Sequence, residues 1–117
     1  MQKEEFLKRT MSFGLRVIRL VESLPKKQVA TVLGNQLLRA GTSVGANYRA
    51  AVRGKSRADF IAKMGIVEEE CDEALYWMEM LIESGSVKPQ LLKSLIDEGN
   101  QILSIVVASI KTARRNK

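Results

Sequence analysis

The chain has 117 residues, of which 45% are hydrophobic and 27% charged, and its formal net charge at pH 7 is +6. A chain of this length is expected to form one domain over residues 1–117, with a hydrophobic core of its own. It contains one cysteine, Cys71, and no histidine, which excludes an internal disulfide and the usual histidine-assisted catalysis. We therefore expect a protein that is not an enzyme and that needs neither a metal nor another cofactor.

No segment of the chain is expected to enter a membrane. The first residues are charged from Lys3 onwards and lack the apolar stretch of a signal peptide. The most apolar run, residues 102–110, is much shorter than the ~20 residues that a membrane-spanning helix requires. We expect a cytoplasmic protein.

The first predicted helix runs from about Lys3 to Ser23, and Pro25 ends it. Its apolar residues form two stripes, the first of Phe13, Val17, Leu20 and Leu24 and the second of Met11, Leu15 and Ile18. Two stripes on one helix predict contacts with more than one neighbour.

The second predicted helix runs from about Gln28 to Val52 and carries a glycine-rich stripe. Its members are Gly34, Leu38, Gly41, Gly45 and Tyr48. Because each glycine inside a helix costs roughly 1 kcal/mol relative to alanine, we expect a neighbouring backbone to approach this stripe closely. The glycines and the extra apolar stripe of the first helix exceed what a monomeric core requires, which predicts self-association.

The third predicted helix runs from Ser56 to about Ser84. Apolar residues recur at alternating spacings of four and three over positions 60–81, as on one face of a long helix. Ser56 suits the helix start, with Asp59 completing a capping box. Gly85 suits the end.

A fourth helix is predicted after Pro89, which is tolerated in a first turn. The same spacing of apolar residues continues over positions 92–110. Four long helices joined by short links predict an all-α fold, an antiparallel up-down-up-down four-helix bundle.

Basic residues are concentrated where the second helix meets the third. Residues 30–57 contain no Asp or Glu, and a basic cluster is formed by Arg49, Arg53, Lys55 and Arg57. The sequence Gly54-Lys55-Ser56 imitates the end of a P-loop, but that motif requires a glycine at position 49 and a preceding strand. We interpret the cluster as a candidate nucleic-acid surface. The end of the fourth helix offers a second one, consisting of Lys111, Arg114 and Arg115.

The third helix is acidic, with carboxylates concentrated in residues 68–73. Carboxylates one turn apart can hold a metal inside a bundle, but ferritin-like sites also require histidine. A solvated face that pairs with a basic neighbour is therefore the favoured interpretation. The sequence leaves open whether these acids already neutralise the basic cluster.

Three polar residues of the second helix, Arg39, Ser43 and Asn47, follow one another at intervals of one turn. Asn47 falls near the core-facing side, so its amide needs hydrogen-bond partners, for which Ser43 and Arg39 are candidates. We interpret the three as a structural polar cluster rather than as a binding site.

Several short motifs between residues 23 and 85 are typical of one family. They are Leu24-Pro25-Lys26, Gln36-Leu37-Leu38-Arg39-Ala40, Ser43-Val44-Gly45-Ala46-Asn47 and Lys55-Ser56. With the long acidic helix that follows, they make the chain resemble the bacterial four-helix bundle proteins encoded in intervening sequences of large-subunit ribosomal RNA genes, often labelled ribosomal proteins. Many members have Glu-Gly where this chain has Ala50-Ala51, which makes this surface more basic here.

The resemblance implies a non-enzymatic homo-oligomer, commonly a pentamer. A relative of this family, the accessory variability determinant of diversity-generating retroelements, is similar in fold, pentameric and basic, and it binds nucleic acid and a reverse transcriptase. We therefore expect a homo-oligomeric bundle that binds RNA or DNA through a basic surface, as an adaptor. The alternative is a structural or protein-interaction oligomer without a role in nucleic-acid binding.

Overall fold

The computed structural model describes residues 2–116, which form four α-helices joined by short links. The helices are α1 (Lys3–Glu22), α2 (Gln28–Val52), α3 (Arg57–Glu83) and α4 (Pro89–Arg115). The predicted all-α four-helix bundle is confirmed, and the predicted helix ends differ from the observed ones by no more than a residue or so, which is the usual uncertainty at helix ends. The bundle measures 49 × 20 × 20 Å. Across residues 2–116, no helix combines the length and the apolar character needed to cross a membrane.

The start of α3 is fixed by the predicted cap. The Ser56 hydroxyl accepts a hydrogen bond from the Asp59 backbone N–H at 3.1 Å. The Asp59 carboxylate accepts bonds from Lys63 Nζ at 2.9 Å and from the Lys55 backbone N–H at 3.1 Å. These two bonds, that from Lys63 first, lower the pKa of Asp59. The turn that carries the basic cluster is thereby tied to the first turn of α3.

The end of α3 is fixed by Gly85, whose φ of 78° lies in the left-handed region that glycine adopts without steric cost. Its N–H donates to the Ile82 carbonyl at 2.9 Å, and the Ser86 N–H donates to the Leu81 carbonyl at 3.0 Å. This pair of bonds is the Schellman motif. It turns the chain back so that α4 can begin at Pro89.

The core lies along the bundle axis, where each helix contributes side chains with almost no exposed surface. The largest are Phe13 and Val17 from α1, Leu37 and Val44 from α2, Met64 and Met78 from α3, and Leu92 and Ile102 from α4. α2 packs against α1 and α3, and α3 also packs against α4, whereas α1 and α4 make the least contact of the neighbouring pairs.

The glycine stripe of α2 brings it close to α1. A Cβ atom added at Gly41 would lie 2.8 Å from both Cγ atoms of Val17, and one added at Gly45 would lie 3.3 Å from the backbone of Thr10. The predicted close approach is confirmed, and the approaching backbone belongs to α1 of the same chain. The inference that these glycines are surplus to a monomer is therefore wrong, and only the second apolar stripe of α1 still argues for self-association.

Polar side chains connect α1 to α4 where apolar contact is sparse. The guanidinium of Arg9 donates two hydrogen bonds to the Glu98 carboxylate, at 2.7 and 2.8 Å. Further along α1, Arg16 donates to the Ser94 hydroxyl at 2.8 Å. The bonds from Arg9 lower the pKa of Glu98, although partial burial opposes them.

Two glycines that differ in their surroundings test the helix contact. Gly41→Ala should lower the free energy of unfolding by about 1 kcal/mol, because overpacking against Val17 outweighs the gain in helix propensity. A Cβ at Gly65, inside α3, would meet no neighbouring atom within 4 Å, so Gly65→Ala should raise stability by up to about 1 kcal/mol. Urea unfolding of both variants gives the comparison. Equal shifts in the same direction would contradict the close α1–α2 contact.

The Arg9–Glu98 pair should make stability depend on pH in the acid range. Because its folded-state pKa is lowered, Glu98 stabilises the protein fully above its ordinary pKa, and the contribution is lost as pH falls through the folded-state pKa. Glu98→Gln should therefore cost about 1 kcal/mol at pH 7 and less at pH 3, as measured by urea unfolding at both values. Glu22→Gln, at an exposed position of α1, is the control and should change stability little at either pH. A constant cost of Glu98→Gln between pH 7 and pH 3 would show that its charge is unimportant.

Candidate nucleic-acid interface

The antiparallel topology gathers the two predicted basic surfaces at one end of the molecule. α1 and α3 begin at this end, and α2 and α4 finish there. We call it the basic end, and its members, all exposed, are Lys3, Lys8, Arg49, Arg53, Lys55, Arg57, Lys111, Arg114 and Arg115. From the sequence, the α2–α3 cluster and the end of α4 were separate candidates. The predicted antiparallel topology already implied that both lie at the same end of the bundle.

The side chains of the basic end form no close ion pairs with carboxylates. Within residues 2–116, every Lys or Arg side-chain nitrogen that lies within 4.0 Å of an Asp or Glu oxygen belongs to Arg9, Arg39 or Lys63. None of these three is a member of the basic end. Asp59 is the acid of α3 nearest to the α2–α3 cluster, and it bonds the backbone N–H of Lys55, so the side chains of the cluster remain exposed and without an ion pair in this part of the chain.

The polar residues Arg39, Ser43 and Asn47 do not form a closed side-chain cluster. The Ser43 hydroxyl donates to the Arg39 carbonyl at 2.7 Å, and the Asn47 amide donates to the Ser43 carbonyl at 2.8 Å. Both bonds run to the backbone of α2. The guanidinium of Arg39 instead reaches α3, where it pairs with Glu70 at 3.1 Å and with Glu73. Arg39 thus ties α2 to α3 on the outer surface of the bundle.

Glu73 also accepts a hydrogen bond from the indole N–H of Trp77 at 3.2 Å. This bond, followed by the contribution of Arg39, lowers the pKa of Glu73. The carboxylate therefore stays ionised to a lower pH than an ordinary glutamate, and so does its ion pair with Arg39.

An open groove of about 650 Å³ runs between α1 and α2. Its apolar lining includes the second stripe of α1, in which Met11 is 60% and Leu15 is 44% exposed. Lys8, Arg49 and Arg53 also line it. The α1–α2 groove therefore joins an unpacked apolar surface to part of the basic end. The sequence showed the apolar stripe but not its position beside these arginines.

The thiol of Cys71 is buried in the core and donates to the Gly99 carbonyl at 3.4 Å. Burial raises the pKa of Cys71 to about 12, so the thiolate is scarce at neutral pH. Among residues 2–116, His, Cys, Asp and Glu side chains nowhere gather in a group of three that could hold a metal ion.

The fold and these surfaces define a class: basic four-helix bundles with cations gathered at one end. Comparison with known proteins narrows the class, because the model of the 23S rRNA-intervening sequence proteins matches residues 2–108. The chain belongs to that family. The resemblance seen in the motifs between residues 23 and 85 is thus confirmed over nearly the whole chain.

A solved structure supports the same assignment. The chain is similar to a protein of unknown function from the S23 ribosomal protein family of Bacteroides thetaiotaomicron, with 33% identity and a TM-score of 0.88. The match covers 95% of this chain and 99% of that one. No functionally curated protein matches the sequence.

Proposed function

We propose that this protein is a non-enzymatic, self-associating four-helix bundle that binds RNA or DNA at its basic end and acts as an adaptor. The observation that carries the proposal is the gathering of nine exposed cations from all four helices at that end, where they outnumber the acids Glu4, Glu5 and Asp59 and form no ion pair within 4.0 Å in residues 2–116. Cations that release the counterions of phosphates supply most of the free energy of non-specific nucleic-acid binding.

The residues of the basic end suit contacts with phosphates better than the reading of bases. Phe6 and Tyr48, the aromatic residues nearest to this end on α1 and α2, pack edge to face at 4.7 Å and are buried. They are therefore not available for stacking on bases, which is the usual way of holding single strands. Lysine and arginine contacts to the backbone position a nucleic acid without reading its sequence. We expect binding with little dependence on sequence and a strong dependence on salt.

Self-association is supported by the α1–α2 groove. The groove exposes the apolar side chains of Met11 and Leu15 beside cations, and apolar surface rimmed by polar groups marks interaction sites on proteins. We propose a pentamer, as the family resemblance implies. Symmetric assembly would repeat the basic end, so that one nucleic acid could contact several copies.

The competing function is an oligomer that binds no nucleic acid. The pairing of Arg39 with Glu70 and Glu73 favours it in part, since some of the basic charge of α2 does balance the acids of α3. Lys55, in the turn that follows α2, and Arg57, the first residue of α3, form no such ion pair within the described part of the chain, which favours the nucleic-acid role.

Replacing four cations of the basic end tests the proposal. The variant carries Lys55→Ala, Arg57→Ala, Arg114→Ala and Arg115→Ala. It should bind RNA and duplex DNA more weakly than the unaltered protein. The slope of log affinity against log salt should fall in magnitude by about 0.7–0.9 for each phosphate that the variant no longer neutralises. Fluorescence anisotropy titrations at several salt concentrations provide both quantities.

A matched control changes the same number of exposed cations at the opposite end of the bundle. It carries Lys26→Ala, Lys27→Ala, Lys88→Ala and Lys93→Ala, so that both variants have the same net charge. The control should keep the affinity and nearly all of the salt dependence. Equal behaviour of the two variants would mean that only net charge matters and would remove the basic end as the site.

Self-association is tested by the mass of the protein in solution. Sedimentation velocity at micromolar concentration should give about five times the chain mass of 13.1 kDa. A species of 13.1 kDa across this range would contradict the proposed assembly, whereas a different multiple would retain self-association and reject the pentamer.

A further inference from the structure

A second exposed surface of the same chain is acidic, whereas the charged residues that line the α1–α2 groove are basic. On the outer face of α3, an exposed stripe that we call the acidic ridge consists of Glu69, Asp72, Tyr76, Glu79 and Glu83. Tyr76 is 51% exposed at its centre. Within residues 2–116, no Lys or Arg nitrogen lies within 4.0 Å of these carboxylates.

We propose that the acidic ridge of one copy docks into the α1–α2 groove of a second copy. The groove has an apolar floor and the cations Lys8, Arg49 and Arg53 along its lining. The ridge has carboxylates on both sides of an exposed aromatic ring. Complementary charges around an apolar or aromatic centre are the usual anatomy of a specific interface.

The two surfaces also agree in length. The α1 wall of the groove extends from Leu7 to Ile18, which is roughly 17 Å at 1.5 Å per residue. The ridge from Glu69 to Glu83 is roughly 21 Å long by the same measure, which exceeds the groove by less than one helical turn. The groove therefore accommodates the central part of the ridge, from Asp72 to Glu79.

The order of charged and apolar groups sets the register of docking. Because Gly45 lies against Thr10, Arg49 stands one turn nearer the basic end, at the level of the first turns of α1. Along α1, the cation Lys8 comes first and the exposed apolar residue Met11 follows. Because α1 and α3 begin at the same end, a ring of copies related by rotation about an axis along the bundles keeps α3 of one copy parallel to α1 of the next. In that direction Asp72 lies beside Lys8, and Tyr76, one turn later, lies near Met11.

A second pair of charges agrees with the parallel direction. Lys8 and Arg19, both exposed on α1, are separated by the same number of residues as Asp72 and Glu83 on the ridge. With Lys8 beside Asp72, Arg19 comes beside Glu83. In the reverse direction, with Lys8 beside Glu83, Asp72 would lie beside Arg19 and Tyr76 would lie level with Leu15 instead of Met11.

This mode of docking joins two different surfaces. An open chain of copies therefore keeps a free groove at one end and a free ridge at the other until it closes into a ring. Parallel copies also present their basic ends on the same side. The inference rests on the proposed self-association and assigns Lys8 and Arg49 to the neighbouring copy. It leaves Lys55 and Arg57 at the turn, and the cations of α4, to contact phosphate.

Two variants that each disable one surface test the pairing. The groove variant carries Met11→Lys and Leu15→Lys, and the ridge variant carries Asp72→Lys and Tyr76→Lys. All four positions are exposed, so both variants should fold, as checked by circular dichroism. Each alone should sediment as a monomer. An equimolar mixture should form a 1:1 heterodimer, because the intact ridge of one variant fits the intact groove of the other, while the two lysine-bearing surfaces repel.

A control variant with Val29→Lys and Val32→Lys, which alters equally exposed apolar residues outside the groove, should keep the mass of the unaltered protein. If the groove and ridge variants also keep that mass, the interface lies elsewhere and the docking is rejected, while self-association stands. Monomers that stay apart on mixing would reject the pairing of groove with ridge. If the unaltered protein is itself a monomer, both the docking and the self-association fail.

Cross-linking tests the direction. The double variant Lys8→Cys with Asp72→Cys should form disulfide-linked multimers on mild oxidation, whereas Arg19→Cys with Asp72→Cys should not. The native Cys71 is buried and should not react. Preferential cross-linking of the second variant would overturn the parallel direction.

Discussion

The contact between α1 and α2 governs most of what this molecule presents to its surroundings. Because Gly41 and Gly45 lack side chains, the two helices approach until Val17 and the backbone of Thr10 fill the space. This contact fixes the register between the helices. It sets Arg49 level with the first turns of α1, and it leaves the second apolar stripe of α1 exposed in the groove next to α2. The position of the groove therefore depends on these two glycines, although glycine lowers the stability of a helix.

Local features of the fold were predictable because short-range chemistry decides them. The hydroxyl of Ser56 has a neighbouring N–H to bond, and Gly85 takes a backbone conformation that other residues rarely adopt. Regular spacing of apolar residues likewise placed the four helices. The partner of the glycine stripe was harder to predict, because sequence spacing shows that a backbone approaches but not whether it belongs to the same chain.

The charged surface was likewise predictable only in part. The sequence revealed the basic and acidic segments, but pairing depends on which helix faces lie side by side, and that requires coordinates. Arg39 illustrates the point, since its intervals from Ser43 and Asn47 suggested a local cluster, whereas its guanidinium crosses to Glu70 and Glu73. The side chains of the cations that follow α2 form no ion pair within residues 2–116, because Asp59 pairs with Lys63 and the other carboxylates of α3 lie further along the bundle. The basic end arises from this offset and from the antiparallel order of the helices.

The burial of Cys71 between α3 and α4 has a consequence for motion. Its Sγ lies against the carbonyl of Gly99, so a thiol reagent can reach it only in molecules whose α3–α4 seam has separated. The rate at which the native protein reacts with such a reagent therefore measures how often the seam opens. The reactivity of Cys71 therefore reports on local opening of the bundle.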